Sequence, residues 1–290
     1  MAYLDLLRAH FIPAWILIFT AGYITAVRVY GGFDLSILIR VILIAVFGFE
    51  AGMVLNDYVD RDLDKKDIDN SLTKYFRPFK TRPLAGGGLK ARVALITFFL
   101  FVTITIILIF TIPSPHKYYV LFLMIYAYIV EYFYQIKKRH QTFPWAQLIG
   151  RTDFAFFPIA GYLVLAHPDK NAFLYFLYFY PLAQAHLAIN DLADYKNDLA
   201  RKLFSVPKLC GINGTLIWVF AFTFVHLITA TYFVLSVNPK AAIGFILSFT
   251  LIIFASVYIF KKKTPLSALR VLPLIHLSMA LQSLSLIFLH

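Results

Sequence analysis

A single cysteine, Cys210, stands among 290 residues, so the chain can form no intrachain disulfide and its thiol content names no redox compartment. No Cys/His group has the spacing of a zinc site. Charge is also scarce: 14% of residues are charged, against about 25% in soluble domains. Low-complexity tracts and interdomain linkers are missing, and the chain reads as one domain over residues 1–290. The apolar run at 11–30 is too long for a signal-peptide core and lacks a small-x-small cleavage site before the next run, so it reads as a retained first helix.

In place of charge there are long apolar runs, and 60% of the residues are hydrophobic. Nine runs of about 20 residues each match a hydrocarbon core of about 30 Å crossed as helix. They lie at 11–30, 35–56, 92–112, 117–136, 145–166, 171–190, 214–236, 241–260 and 266–289. None alternates in the manner of barrel strands, and lipid leaves open backbone groups without partners. The expectation is an all-α integral membrane protein, nine transmembrane helices in one bundle. The loops alternate between short ones, with at most one Lys or Arg, and basic ones. The latter hold Arg61 to Arg92, Lys137 to Arg139, Lys196 to Lys208, and Lys261 to Lys263. By the positive-inside rule the N-terminus and the basic loops face the cytoplasm, and nine spans leave the C-terminus outside. The same asymmetry explains the net charge of +12, which in a soluble chain would suggest nucleic acid.

Two acidic sets follow even-numbered runs. The first is Asn56-Asp57-Tyr58-Val59-Asp60-Arg61-Asp62-Leu63-Asp64, and the second is Asn190-Asp191-Leu192-Ala193-Asp194-Tyr195-Lys196-Asn197-Asp198. Asn56, Asp60 and Asp64 recur every four residues, as do Asn190, Asp194 and Asp198. On a helix each trio falls within an arc of about 80°. Two such faces meeting at the end of a bundle repel unless cations lie between them. Oxygen donors of this kind suit Mg²⁺, which completes its shell with water and substrate phosphate. A single acidic run is ordinarily a solvated cap; two copies with the same spacing on one side of the membrane point to a shared site. His186, one turn before Asn190, reads as a packed polar residue, since Mg²⁺ prefers oxygen.

After the first set comes Arg82, followed by Gly86-Gly87-Gly88. Arg grips phosphate oxygens in bidentate fashion, and backbone amides of a glycine-rich loop can form an anion nest. Arg77, in another Arg-Pro pair, reads as a loop residue facing headgroups. Aromatics form 18% of the chain. Most belong to lipid-facing surface and interfacial belts, but a subset lining a cavity would offer π faces to a carbocation. Three rival readings account for less of the sequence. A divalent-cation transporter explains intramembrane acids but gives the Arg and glycines no task. An alcohol phosphotransferase lacks its Asp-Gly-x-x-Ala-Arg signature here. A non-catalytic scaffold leaves the duplicated acids unexplained.

At these residues the chain resembles the UbiA superfamily of intramembrane prenyltransferases. Asn56 to Asp64 and Asn190 to Asp198 match its two Asp-rich motifs. Arg82-Pro83-Leu84-x-x-Gly87 is similar to its Arg-Pro segment, Tyr134-x-x-x-Lys138-Arg139 with Gln147-x-x-Gly150 to its stretch after the fourth helix, and Arg8 with Pro13 to its N-terminal pattern. The segment from Asp64 to Arg82 is longer than that family usually shows, which suggests a cap or acceptor pocket particular to a subgroup. The resemblance implies nine helices with both Asp-rich motifs in cytoplasmic cap loops. It implies transfer of a prenyl group from a polyprenyl diphosphate to a lipophilic acceptor, such as a quinone precursor or a glycerol-ether phosphate, with release of pyrophosphate. Two Mg²⁺ ions, replaceable by Mn²⁺, would sit between Asn56, Asp60, Asp64 and Asn190, Asp194, Asp198. Arg8, Arg82, Tyr134, Lys138, Arg139 and Lys202 would hold the substrate, with Arg82 and Lys138 also assisting catalysis. Asp57 or Asp191 would take the acceptor proton. The partners implied are substrate, acceptor and membrane lipid, with no nucleic acid and no obligate protein partner.

Overall fold

In a computed structural model describing residues 1–289, the chain is helical, with no strand among the described residues. In chain order the helices are α1 (Ala2–Leu6), α2 (Ile12–Tyr30), α3 (Leu35–Asp64), α4 (Ser71–Phe76), α5 (Ala91–Phe110), α6 (His116–Lys137), α7 (Trp145–Gly150), α8 (Thr152–Tyr162), α9 (Lys170–Ala193), α10 (Tyr195–Arg201), α11 (Val206–Val237), α12 (Ala242–Lys262) and α13 (Pro265–Phe288). Eight of them, α2, α3, α5, α6, α9, α11, α12 and α13, are long and apolar enough to cross a membrane. Local chemistry sets several starts. Asp34 caps α3 by accepting from the amides of Ser36 (2.6 Å) and Ile37 (3.3 Å), and Thr264 and Ser267 form a reciprocal capping box on α13. Such caps satisfy amides that the first helical turn leaves unpaired.

The expected span at 145–166 is not one helix. It is broken at Arg151 (φ −85°, ψ 3°) into α7, of 6 residues, and α8, of 11 residues. Polar side chains cluster at the break: Gln147, Arg151, Thr152 and Asp153 interrupt what would otherwise be a spanning run. The acidic sets are also not in cap loops. The first rides on α3, which continues to Asp64, well beyond the expected end at residue 56. The second straddles a bend: α9 ends at Ala193, Asp194 is its C-cap, and Asp198 lies on α10. Hence Asn190, Asp194 and Asp198 do not share one helical face.

α2 and α8 lie against each other near the centre, with α3 and α6 on one side and α9 and α13 on the other; α5 packs outside α3, and α11 and α12 outside α9 and α13. Two glycines permit the central contact. A Cβ on Gly22 would lie 1.9 Å from the Pro158 carbonyl oxygen, and one on Gly161 would lie 2.0 Å from that of Phe19. Small residues at such crossings let membrane helices approach closely. Residues 65–90 form a cap fixed at both ends. The Asp5 carboxylate accepts from the Phe79 amide (2.6 Å) and Thr81 amide (2.8 Å). Asn197 Oδ1 accepts from the amides of Ile68 (3.0 Å) and Asp69 (2.9 Å), and its Nδ2 donates to the Asp69 carbonyl (2.7 Å).

Candidate active site

Under this cap, at the ends of α3 and α9, lies a cavity of about 200 Å³. All six expected metal ligands line it: Asn56, Asp60 and Asp64 from α3, and Asn190, Asp194 and Asp198 from the α9–α10 bend. Asp191 also lines it and accepts from the Val206 amide at 3.3 Å. Cations interleave with the acids. Asp60 pairs with Lys138 (2.7 Å) and Arg139 (3.2 Å), and Asp64 with Arg82 (2.6 Å) and Arg201 (3.3 Å). Asp194 pairs more loosely with Arg201 (3.6 Å) and accepts from Asn197 Nδ2 (2.7 Å). Arg201 therefore bridges the two sets, and it also pairs with Asp67.

The motif residues after the fourth expected span meet as well. The Tyr134 ring has Lys138 Nζ 4.9 Å and the Arg151 guanidinium 4.8 Å from its centre. Gly150 is side-chain-free because Tyr134 occupies that place: a Cβ there would lie 2.6 Å from Tyr134 Cδ2. Gln147 lines the cavity, and Arg8 reaches it from the segment before α2, donating to Asp57 (3.0 Å).

Other expectations are corrected. Asp57 does not line the cavity; it is buried and held by Arg77 at 2.9 and 2.8 Å and by Arg8. Both of its oxygens are engaged by the guanidinium groups of Arg77 and Arg8. Arg77 faces no headgroups: it is 3% exposed and also donates to the Asp5 carbonyl (2.5 Å). Lys202 is exposed, sits in a left-handed turn that ends α10 (φ 61°), and lies outside the cavity lining. Arg139 acts on Asp60 from outside the lining. The three glycines form no nest at the cavity, because Gly86 and Gly87 amides are spent on the carbonyls of Arg82 and Leu84 in a turn.

Sequence reading missed Arg201, Arg151 and Glu131. Arg201 looked like one more cytoplasmic basic residue. Glu131 carried a signal, an acid inside an apolar run, which usually marks function. It accepts from Asn56 Nδ2 (2.9 Å) and Gln135 Nε2 (2.5 Å) and pairs with Arg151 (3.5 Å).

The second acidic set has fewer cationic partners than the first. Burial pushes the Asp198 carboxyl well above the usual carboxylate range, and the neighbouring Asp191 and Asp194 charges add to this. Asp194 is also raised by burial, against the opposing pull of Arg201 and Arg82. Asp198 has no Lys or Arg within ion-pair distance among the described residues, and Asn190 Oδ1 is buried without a hydrogen-bond donor. Unpaired buried groups of this kind are costly. As the side chains stand, no three acids or histidines among the described residues converge on one point as a metal group; those of the first set turn toward their cations. The donor chemistry nevertheless fits a hard divalent ion: the six donors are all oxygens, one is an orphaned amide oxygen, and one carboxylate lacks a counter-charge.

A second, apolar cavity of about 110 Å³ adjoins the first among α3, α5, α6 and α8, and the two share Phe49, Met53, Glu131, Arg151 and Phe154. The site thus joins a charged chamber to a largely apolar one through a mouth in which the aromatics Phe49 and Phe154 stand beside Met53, Glu131 and Arg151. Trp15 stacks on Phe49 there, ring centroids 3.8 Å apart.

Residues 15–283 match the model of the UbiA prenyltransferase family. No curated protein sequence matches the chain. Among solved structures, a UbiA homologue from Aeropyrum pernix K1 is 19% identical, with a TM-score of 0.71 over 92% of this chain and 97% of that one. A digeranylgeranylglyceryl phosphate synthase is 19% identical, with a TM-score of 0.70 over 99% and 96%. A UbiA homologue from Archaeoglobus fulgidus bound to DMAPP and Mg²⁺ is 17% identical, with a TM-score of 0.68 over 99% of both chains. At these identities the likeness shows a common fold.

Proposed function

We propose that this chain, a multi-pass membrane enzyme that belongs to the UbiA prenyltransferase family, works as one catalytic domain and moves a prenyl group from a polyprenyl diphosphate to a lipophilic acceptor. The observation that carries this reading is the joined pair of cavities. One end gathers six oxygen donors and the cations Arg82, Lys138 and Arg201; the other is apolar and takes the tail. Solved relatives bound to DMAPP or GPP with Mg²⁺ support it.

In this reading Asn56, Asp60, Asp64, Asn190, Asp194 and Asp198 hold two Mg²⁺ ions, with Mn²⁺ as a substitute. The ions supply charge neutralisation to the leaving diphosphate. The lining carries six acids and six Lys or Arg side chains, so an incoming diphosphate needs added positive charge. Asp60 and Asp64, now paired with Lys138 and Arg82, would hold the ions instead, and Lys138 and Arg82 would then be placed to bind diphosphate oxygens. Arg8 and Tyr134 border the same space. Asp191 stands with the second acidic set. The tail lies past Phe49 and Phe154, whose π faces offer attraction to the allylic cation, in a chamber poor in water. The N-terminus and both acidic sets face the cytoplasm, where pyrophosphate leaves; with α7 and α8 together making a ninth crossing beside the eight long helices, the C-terminus lies outside. Tags at the N-terminus and at 65–80 should report the same face, and opposite faces would refute this orientation.

The test is product analysis. Purified protein with Mg²⁺, geranylgeranyl diphosphate and candidate aromatic or glycerol-ether acceptors should yield a prenylated product by mass spectrometry. Absence of product and of pyrophosphate release across substrates of different chain length would reject the reading.

A further inference from the structure

Prenyl transfer, on the reading above, leaves one proton to be placed. An acceptor hydroxyl or aromatic carbon that bonds to the allylic carbon must give up a hydrogen as a proton. The nearby carboxylates are poor takers. Asp57 is closed off by Arg77 and Arg8; Asp60, Asp64 and Asp194 are committed to cations; Glu131 accepts from Asn56 and Gln135 and pairs with Arg151; and Asp198, in the reading above, holds metal. Asp191 belongs to the acidic group and already accepts from Val206.

The same lining, one turn before the second acidic set on α9, carries a different device. His186 of α9 and His276 of α13 both line it, and both are only partly buried. Their Nε2 atoms are 2.9 Å apart. His276 Nδ1 is 2.6 Å from the Tyr75 hydroxyl of α4. Three separate elements therefore supply one hydrogen-bonded chain. At 2.9 Å one imidazole donates and the other accepts. A further proton on the donor's Nδ1 makes an imidazolium–imidazole pair with the same bond retained, so the pair takes one proton without rearranging. His186 Nδ1 makes no protein hydrogen bond among the described residues.

Position agrees with the chemistry. With the diphosphate among the acids and the tail in the apolar chamber, the allylic carbon lies at the mouth shared by the two cavities. Phe154 lines that mouth, and its ring centre is 6.3 Å from that of His186.

We propose that His186, backed by His276 and Tyr75, is the base that takes the acceptor proton. The allylic C–O bond breaks with both electrons on the diphosphate. An electron pair of the acceptor forms the new bond to carbon. The acceptor proton passes to the free ring nitrogen of His186, and His276 shares the resulting charge through the Nε2 contact. His276 and Tyr75 act through His186 and are positioning residues.

The experiment uses the full-length protein with Mg²⁺, geranylgeranyl diphosphate, and para-hydroxybenzoate and geranylgeranylglyceryl phosphate as acceptor probes. His186→Gln should lower kcat by about 10²- to 10⁴-fold, the range for loss of a general base, with KM for the diphosphate and affinity for an unreactive thiolo-diphosphate analogue near wild type. Added imidazole should restore part of the rate to His186→Gly, which a merely structural role would not produce. Wild-type kcat in His186→Gln, or no imidazole rescue in a His186→Gly protein that still binds the analogue, overturns the proposal. A wild-type protein that neither forms product nor releases pyrophosphate instead overturns the prenyl-transfer reading itself.

Discussion

Arg77 donates to both carboxylate oxygens of Asp57, at 2.9 and 2.8 Å, with both side chains buried. Because Arg77 also holds the Asp5 carbonyl, this pair joins the cap, α3 and the N-terminal segment. Removing one partner of a buried pair costs about 3–5 kcal/mol, since the other charge is left unpaired. Arg77→Ala should therefore lower the thermal unfolding temperature and the yield of folded protein. Arg82→Ala should act on diphosphate binding, with a loss of about 1.5–3 kcal/mol, or roughly ten- to a hundredfold in affinity or rate. Thermal unfolding beside diphosphate kinetics separates the two; the reverse assignment would contradict it.

That pair also marks what the sequence can and cannot disclose. The apolar runs predict nine spanning helices, and eight of them form as single long helices, because burial in lipid acts on each run locally. The first acidic trio is legible because α3 stays helical to Asp64, so a four-residue spacing becomes a shared face. The second trio has the same spacing, yet the chain bends at Asp194; the cavity still collects it, for a tertiary reason. Arg77 and Arg201 are basic residues in basic segments, indistinguishable by composition from Lys202, which points away. Their partners are set by how the cap folds back, and no local spacing encodes that. The break at Arg151 was foreshadowed only by polar residues inside an apolar stretch.

Arg201 sits between the sets, pairing with Asp64, Asp67 and Asp194. Arg201→Gln leaves these acids facing one another without their shared cation. The variant should unfold at lower temperature than wild type in chelator, and added Mg²⁺ should raise its unfolding temperature by more than it raises that of wild type. Equal shifts for the two proteins would show that Arg201 and the ion do not occupy one electrostatic role.

Gly150 abuts the Tyr134 ring, where a Cβ would come within 2.6 Å. Gly150→Ala must displace that ring from its contacts with Lys138 and Arg151. Overpacking of this kind costs about 1–3 kcal/mol. Activity should fall together with stability, and Tyr134→Ala in the Gly150→Ala background should recover part of the stability. No recovery in the double variant would place the strain elsewhere.

Mg²⁺ affinity should depend on pH. Burial, with Asp191 and Asp194 nearby, raises the Asp198 carboxyl above its usual range, so it keeps its proton at pH values where an ordinary aspartate has lost it. A metal ion must displace that proton, and affinity therefore rises with pH until Asp198 is ionised and levels off above that point. Below that point the change approaches about tenfold per pH unit for one proton released. Mg²⁺ titrations followed by thermal unfolding should show this trend, and Asp198→Asn should flatten it. Affinity that falls with rising pH would contradict the assignment.

The most direct measurement of the central claim is pyrophosphate release from geranylgeranyl diphosphate by the wild type, Asp60→Ala and Asp194→Ala, each with Mg²⁺ and with EDTA. One residue from each acidic set is removed in turn, so the assay asks whether the two sets form one metal-dependent site. The expected result is release by the wild type in Mg²⁺, none in EDTA, and none from either variant. Full release in EDTA, or near wild-type rates from both variants, would contradict the account.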